Sequence, residues 1–163
     1  EGAVDCSLLC ERLERADVRR LAGLAGWFEP STYLEIGDMW KRFGARLGFP
    51  GQIGGGETIG VFRNRDTARQ SFEHLAGVRI ISDASIPSEF EVWDLAPQAY
   101  LVFRQMLTEE PLHLQVMAAQ AEIAGLVTRA GYHRIDADDL QIYPANFKLG
   151  SGGWLEHWIP VDD

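Results

Sequence analysis

The sequence predicts an α+β fold: two ββαββ halves forming one antiparallel sheet, with two long helices on one face and a ligand groove between them. Three observations carry this reading. The stretch from Arg15 to Phe49 holds a strand-like run, a turn and an amphipathic helix ending in Leu47-Gly48-Phe49, and the same plan returns from Leu95 to Tyr132, where the helix ends in Ala130-Gly131-Tyr132. The offset of roughly 80 residues is too long for a solenoid repeat and suits a duplicated half-domain. With 163 residues, 46% of them hydrophobic, the chain fills one core rather than two. A single domain over 1–163 is expected, with halves at about 7–82 and 89–161.

Each element has a local signal. Ser7 to Leu13 and Val18 to Phe28 read as strands. Ile36, Met39, Trp40, Phe43 and Leu47 are then spaced three and four apart, which predicts a helix over about Tyr33 to Leu47. Thr32 with Glu35 reads as its capping box and Gly48 as its left-handed C-terminal cap. Pro50 to Gly56 is glycine-rich but lacks a Gly-Lys-Ser/Thr ending and feeds a strand, so a phosphate loop is not expected. Strands follow at Thr58 to Arg63 and Gly77 to Ser82, with a short helix possible between Asn64 and His74. Asp83 to Ser88 is the hinge. The second half reads as strands at Glu89 to Asp94 and Ala99 to Met106 and a helix over Pro111 to Ala130 opened by Thr108, Glu109 and Glu110 and closed by Gly131. Strands at Leu140 to Tyr143 and Trp154 to Val161 complete it.

Composition excludes several functions. The net charge is -9, with 15 Lys and Arg against 24 Asp and Glu, so the chain lacks the cations that replace counterions on a duplex, and no nucleic-acid binding by it is expected. The cluster Arg12, Arg15, Arg19 and Arg20 reads as a solvated strand or turn. No run of 18 apolar residues occurs, so no membrane span is expected, and no basic start precedes an apolar core, so the expected location is cytoplasmic. The chain opens on Glu1, the expectation for a processed chain or a piece of something longer. Cys6 and Cys10 are separated by three residues and the four histidines are scattered, so no metal site and no cofactor are expected.

The strongest candidate site is on the last strand. Trp154, Glu156 and Trp158 alternate and therefore share a face, while His157 points to the other. A carboxylate between two indoles is costly unless neutralised, and a cationic aromatic ligand would neutralise it while stacking on the indole faces. The plainer alternative is a solvent-facing Glu156 with both tryptophans covering the core.

The ending Trp154-Leu-Glu-His-Trp-Ile-Pro-Val161, together with Glu57-Thr-Ile-Gly-Val-Phe62, Phe90 through Phe103 and Leu140-Gln-Ile-Tyr143, resembles the GyrI-like family, the AraC-type effector-binding domains. The likeness runs through most of the chain from about Leu8. It implies a groove that binds varied small molecules, often cationic and aromatic, with Glu156 as charge anchor, Tyr143 as the pocket tyrosine and Phe62 as its repeat mate. Trp40 and Tyr33 would wall the groove, with Trp93 and Phe103 as further candidates, each of which can equally be plain core. Gln141 stands where many relatives carry a glutamate, so a second carboxylate is not expected there. The resemblance leaves three functions open. The chain is a small-molecule binder, free-standing or the sensor part of a transcription regulator whose DNA-binding part lies elsewhere. Or it is a hydrolase that opens strained rings, with Glu156 activating water and Tyr143 donating a hydrogen bond. Or it is an acidic inhibitor of a DNA-handling enzyme.

Overall fold

The computed structural model describes residues 8–53, 56–82, 85–145, 147 and 153–162, with the side chains of 9–11 left aside. Cys6 and the side chain of Cys10 therefore lie outside what is described, as does part of the hinge at 83–84. The element order is β1 (Leu8–Ala16), β2 (Arg19–Phe28), α1 (Glu35–Gly44), β3 (Thr58–Asp66), β4 (Ser71–Arg79), β5 (Glu91–Leu95), β6 (Gln98–Met106), α2 (Leu112–Arg129), β7 (Asp139–Tyr143) and β8 (Trp154–Pro160). The ββαββ pattern thus runs twice. All eight strands form one antiparallel sheet in the order β1-β6-β8-β7-β3-β4-β2-β5. The two runs meet at β3 and β7, where Gly60 pairs with Gln141. Each run also lends its first strand to the other: β1 pairs with β6, and β5 pairs with β2.

Both helices lie on one face. Met39 and Phe43 of α1 pack with Ala22, Leu24, Ala76 and Val78, and Ala119, Ile123 and Val127 of α2 pack with Leu101, Phe103 and Ile159. Among the described residues no helix covers the opposite face: its core of Leu21, Ile59, Val61, Leu75, Trp93, Leu95, Tyr100, Val102, Leu140 and Ile142 comes wholly from strands. The sheet covers this face by curling onto itself. Four strands separate β6 from β2, which in a flat sheet would put them about 24 Å apart at about 4.8 Å per strand. Yet the Arg19 guanidinium carbon on β2 is 5.7 Å from the centre of the Tyr100 ring on β6.

Several boundaries differ from the expectation for local reasons. Thr32 does belong to a capping box, but with Glu29, and it closes a 3-10 turn over Pro30–Thr32. Helix α1 starts after it, with Leu34 as its N-cap and no side-chain cap. Gly48 has a φ of +93° but lies beyond the true C-cap, Ala45. Thr108, Glu109 and Glu110 precede α2 rather than open it, since the N-cap is Pro111. Their backbone is tied down from inside the helix: the Gln115 amide accepts from Thr108 N–H at 2.9 Å and donates to Glu110 C=O at 2.6 Å. Gly131, φ +86°, follows the Ala130 C-cap as expected. No helix forms between Asn64 and His74. Asn64 and Gln70 both take positive φ, which turns β3 tightly into β4, and β4 starts at Ser71 instead of Gly77.

The curl needs room that only glycine leaves. Gly23 on β2 faces Gly77 on β4, and a Cβ added at Gly23 would sit 1.8 Å from the Ala76 carbonyl oxygen. Gly23→Ala is therefore expected to destabilise the protein by at least about 3 kcal/mol, the upper end for an overpacked core. Chemical denaturation of the variant measures it. A loss below about 1 kcal/mol would mean that the strands are not held this closely.

Candidate functional site

The alternation of β8 divides its side chains between the two faces of the sheet. Glu156 and Trp158 turn to the helix-free concave face, where Trp158 packs against the strand core, and His157 and Ile159 turn toward α2. Glu156 is 4% exposed. Arg12 of β1 grips it through both oxygens, Nη1 to Oε2 at 3.0 Å and Nη2 to Oε1 at 3.1 Å. Arg104 of β6 donates to Oε2 from Nη2 at 2.8 Å and from Nε at 3.2 Å, and the Trp158 indole N–H reaches Oε1 at 3.0 Å. Burial alone would raise the pKa of Glu156, but these donors outweigh it and hold the carboxyl below its usual range. The same contact moves the Arg12 guanidinium up, through its hydrogen bonds to Glu156 and Glu14.

Aromatic rings and further arginines surround this carboxylate. Arg104 lies 3.9 Å over Trp154, and Trp158 and Tyr100 lie 5.5 Å apart with Arg19 over both. Nε and Nη2 of Arg19 are buried and have no hydrogen-bond partner. At the far edge Arg63 stacks 4.1 Å over Trp93 and pairs with Asp138 at 2.6 Å. Glu57, just before β3, is a second carboxylate that feels the charge of Glu156; burial raises its pKa, with Glu156 adding and Arg79 and Arg19 opposing. The basic cluster read as solvated is therefore split. Arg12 and Arg19 enter the concave face, while Arg20 pairs with Asp94 outside.

A second group of predicted residues gathers on the helix-bearing face. Trp40 of α1 meets Tyr143 at 5.4 Å between ring centres and donates its indole N–H to His74 Nε2 at 3.1 Å. His74 donates Nδ1–H to Val61 C=O at 2.9 Å and stacks on Phe62 at 4.3 Å. Gly60 leaves the space for this, since a Cβ there would lie 3.2 Å from the Trp40 ring. Tyr33 stacks on Phe72 at 5.6 Å and hydrogen-bonds Gln70 C=O at the rim. Phe103, 2% exposed, is core beneath α2. The structure thus brings Glu156 together with Trp154 and Trp158, and Tyr143 with Trp40, but puts the two sets on opposite faces, so Glu156 and Tyr143 do not meet as an acid–base pair. A carboxylate held ionised by two arginines is also a poor base.

Sequence reading missed Arg12, Arg19, Arg104, Tyr100 and Glu57. Alternation placed Arg19 and Arg20 on opposite sides of a strand, a signal that was available, but nothing local says which strand lies opposite. Among the described residues no three His, Cys, Asp or Glu side chains gather as a metal would require, and no helix is long and apolar enough to cross a membrane.

No family model matches the chain, and no curated protein matches it in sequence. Solved structures do match over nearly their whole length. SAV2435, solved bound to tetraphenylphosphonium, superposes with a TM-score of 0.73 at 17% identity, covering 94% of both chains. An integron cassette protein from Vibrio cholerae gives 0.70 at 14% identity over 98% of this chain and 100% of its own. The C-terminal domain of EcmrR gives 0.61 at 12% identity over 94% and 98%. The chain shares the fold of these structures, the fold that the resemblance to GyrI-like proteins implied. In the GyrI-like fold of this chain, the last strand carries its glutamate into the concave side of the sheet.

The two buried histidines make the GyrI-like sheet sensitive to acid. Burial pushes His74 and His157 from 6.5 down to about 4. The unfolded chain takes up these protons near pH 6.5 while the folded chain resists until about pH 4. Stability is therefore full above pH 6.5 and falls on acidification, by up to about 1.4 kcal/mol per pH unit for each histidine. Urea unfolding between pH 7.5 and 4.5 should show that slope, and His157→Gln should halve it. A flat profile would contradict neutral burial.

Proposed function

We propose that the chain is a small-molecule-binding module that takes aromatic, cationic ligands on the concave face of its sheet, with Glu156 as the charge centre. The observation that carries this is a buried carboxylate, held by two arginines and set among Trp154, Trp158 and Tyr100. Its present counter-ions are two arginines, Arg12 from the edge strand β1 and Arg104 from β6 beside it, and the Arg12 side chain is 38% exposed, so it can swing out to solvent. A ligand cation that takes the place of Arg12 keeps the charge balanced and adds stacking on the indoles, roughly 0.5–2 kcal/mol per ring. Tetraphenylphosphonium, bound by the similarly folded SAV2435, has this chemistry and is the natural probe.

The exchange also suggests how binding is read out. Arg12 belongs to β1, an edge strand whose sheet partner is β6 of the other run, so its release loosens one border of the sheet. A ligand that prefers the loosened arrangement shifts the population toward it. This suits a free-standing binder and equally a sensor joined to a DNA-binding part; EcmrR, solved in complex with DNA, has this fold in its C-terminal domain.

Quenching of the tryptophans by tetraphenylphosphonium and by a neutral triphenyl analogue tests the reading. Wild type should prefer the cation. Glu156→Gln should lose at least about tenfold, the 1.4 kcal/mol or more expected when a charge-assisted contact goes. Arg12→Met, which removes the competing cation, should bind the phosphonium more tightly. Equal affinity of wild type and Glu156→Gln, with both folded by circular dichroism, would sink the assignment.

A further inference from the structure

Beneath α2, on the face that the proposed Glu156 site does not use, lies a cavity of about 310 Å³. Gln141, His157 and Phe62 form its floor, and Arg65, Arg134 and Asp139 its polar side. We infer that this cavity is a second small-molecule site, selective for a single-ring aromatic carboxylate.

The polar groups present offer more donors than acceptors. Gln141 is 5% exposed; its Oε1 accepts the Tyr143 hydroxyl at 3.2 Å, and its Nε2 has no hydrogen-bond partner. A buried amide N–H left in this state is costly, and a ligand oxygen removes that cost. Arg65 and Arg134 both donate to the same oxygen, Oδ2 of Asp139. Two guanidiniums on one carboxylate leave a net positive charge, so the polar side attracts an anion. His157 does not reverse this. Gln105 Nε2 donates to Gln115 C=O at 2.9 Å, so its Oε1 faces His157 and fixes the imidazole proton on Nε2, away from further use.

Shape narrows the class. The volume is at the lower limit of small-molecule pockets, which excludes a four-ring cation and admits one ring. Phe62 supplies the flat wall, held in place by His74 at 4.3 Å, while Ile123 of α2 closes the opposite side. The site is back to back with the other. Gln141 and His157 are chain neighbours of Ile142 and Glu156, whose side chains project through the opposite face.

Calorimetric titration with benzoate, benzamide and benzylammonium tests the inference. Wild type should bind benzoate saturably, benzamide more weakly and benzylammonium not at all. Arg134→Gln, at the exposed rim, and Gln141→Leu should each weaken benzoate by about tenfold. Glu156→Gln should leave benzoate binding unchanged, and tetraphenylphosphonium should not compete with it. Absence of saturable benzoate binding would overturn the site, as would equal affinity of wild type and a folded Arg134→Gln, or loss of binding in Glu156→Gln. Because the Glu156 reading is tested with a cation and this one with an anion, either can fail alone.

Discussion

A sheet with both helices on one side has nothing but itself to cover the other. That constraint organises the rest of this structure. Eight strands give the sheet enough width to curl until β2 reaches β6, and the glycine pair at Gly23 and Gly77 lets two backbones come close enough for the bend. Curling buries Leu21, Ile59, Val61 and Leu75 against Tyr100 and Val102 without a third layer. It also brings Arg19 of the distant strand β2 over Trp158 and Tyr100, beside the carboxylate that Arg12 and Arg104 hold from β1 and β6. The exchange of first strands between the two runs follows from the same requirement. Each set of three strands gains an outer neighbour from the opposite run, which widens the sheet before it curls.

What could be read from sequence was what depends on local period. The apolar stripe of α1, the twin helices and the alternation of Trp154, Glu156 and Trp158 are properties of a strand or helix by itself. The α+β class follows from them. What could not be read is which face of a strand meets which neighbour. Alternation said that Glu156 and His157 point apart; it could not say that Glu156 enters the concave interior and that Tyr143 and Trp40 lie behind it. The arginines show the same limit. Arg12 and Arg19 look like part of a surface run because their sequence neighbours Arg15 and Arg20 are charged too, and only pairing across the sheet turns them inward. Capping failed for a different reason: Gln115, seven residues beyond Thr108, does the work expected of Thr108 itself.

The two faces treat charge alike. On each, one buried carboxylate is shared by two arginines, Glu156 by Arg12 and Arg104, Asp139 by Arg65 and Arg134. Such groups gain little net stability over apolar packing, because the desolvation of three ions offsets their attraction. Their value is that they are poised. A carboxylate held by a partly exposed arginine is open to exchange with another cation, and a pair of guanidiniums saturating one oxygen has donors left for another anion. A chain with a net charge of -9 thus keeps arginines paired to buried carboxylates on both faces of its sheet.

Because β7 and β8 carry both faces, the two interiors share one wall. Ile142 and Glu156 pair directly across the strands, and so do Gln141 and His157 beside them. A displacement of β8 large enough to move the carboxylate by a few tenths of an ångström also moves the His157 ring, whose hydrogen bond to Gln105 leads to Gln115 and the start of α2. Packed side chains transmit such shifts because the interior has no slack to absorb them. Between the concave carboxylate and the start of α2 thus stand one strand, one imidazole and two amides, all buried. By reciprocity, whatever couples the concave face to α2 couples α2 back to the concave face with the same free energy.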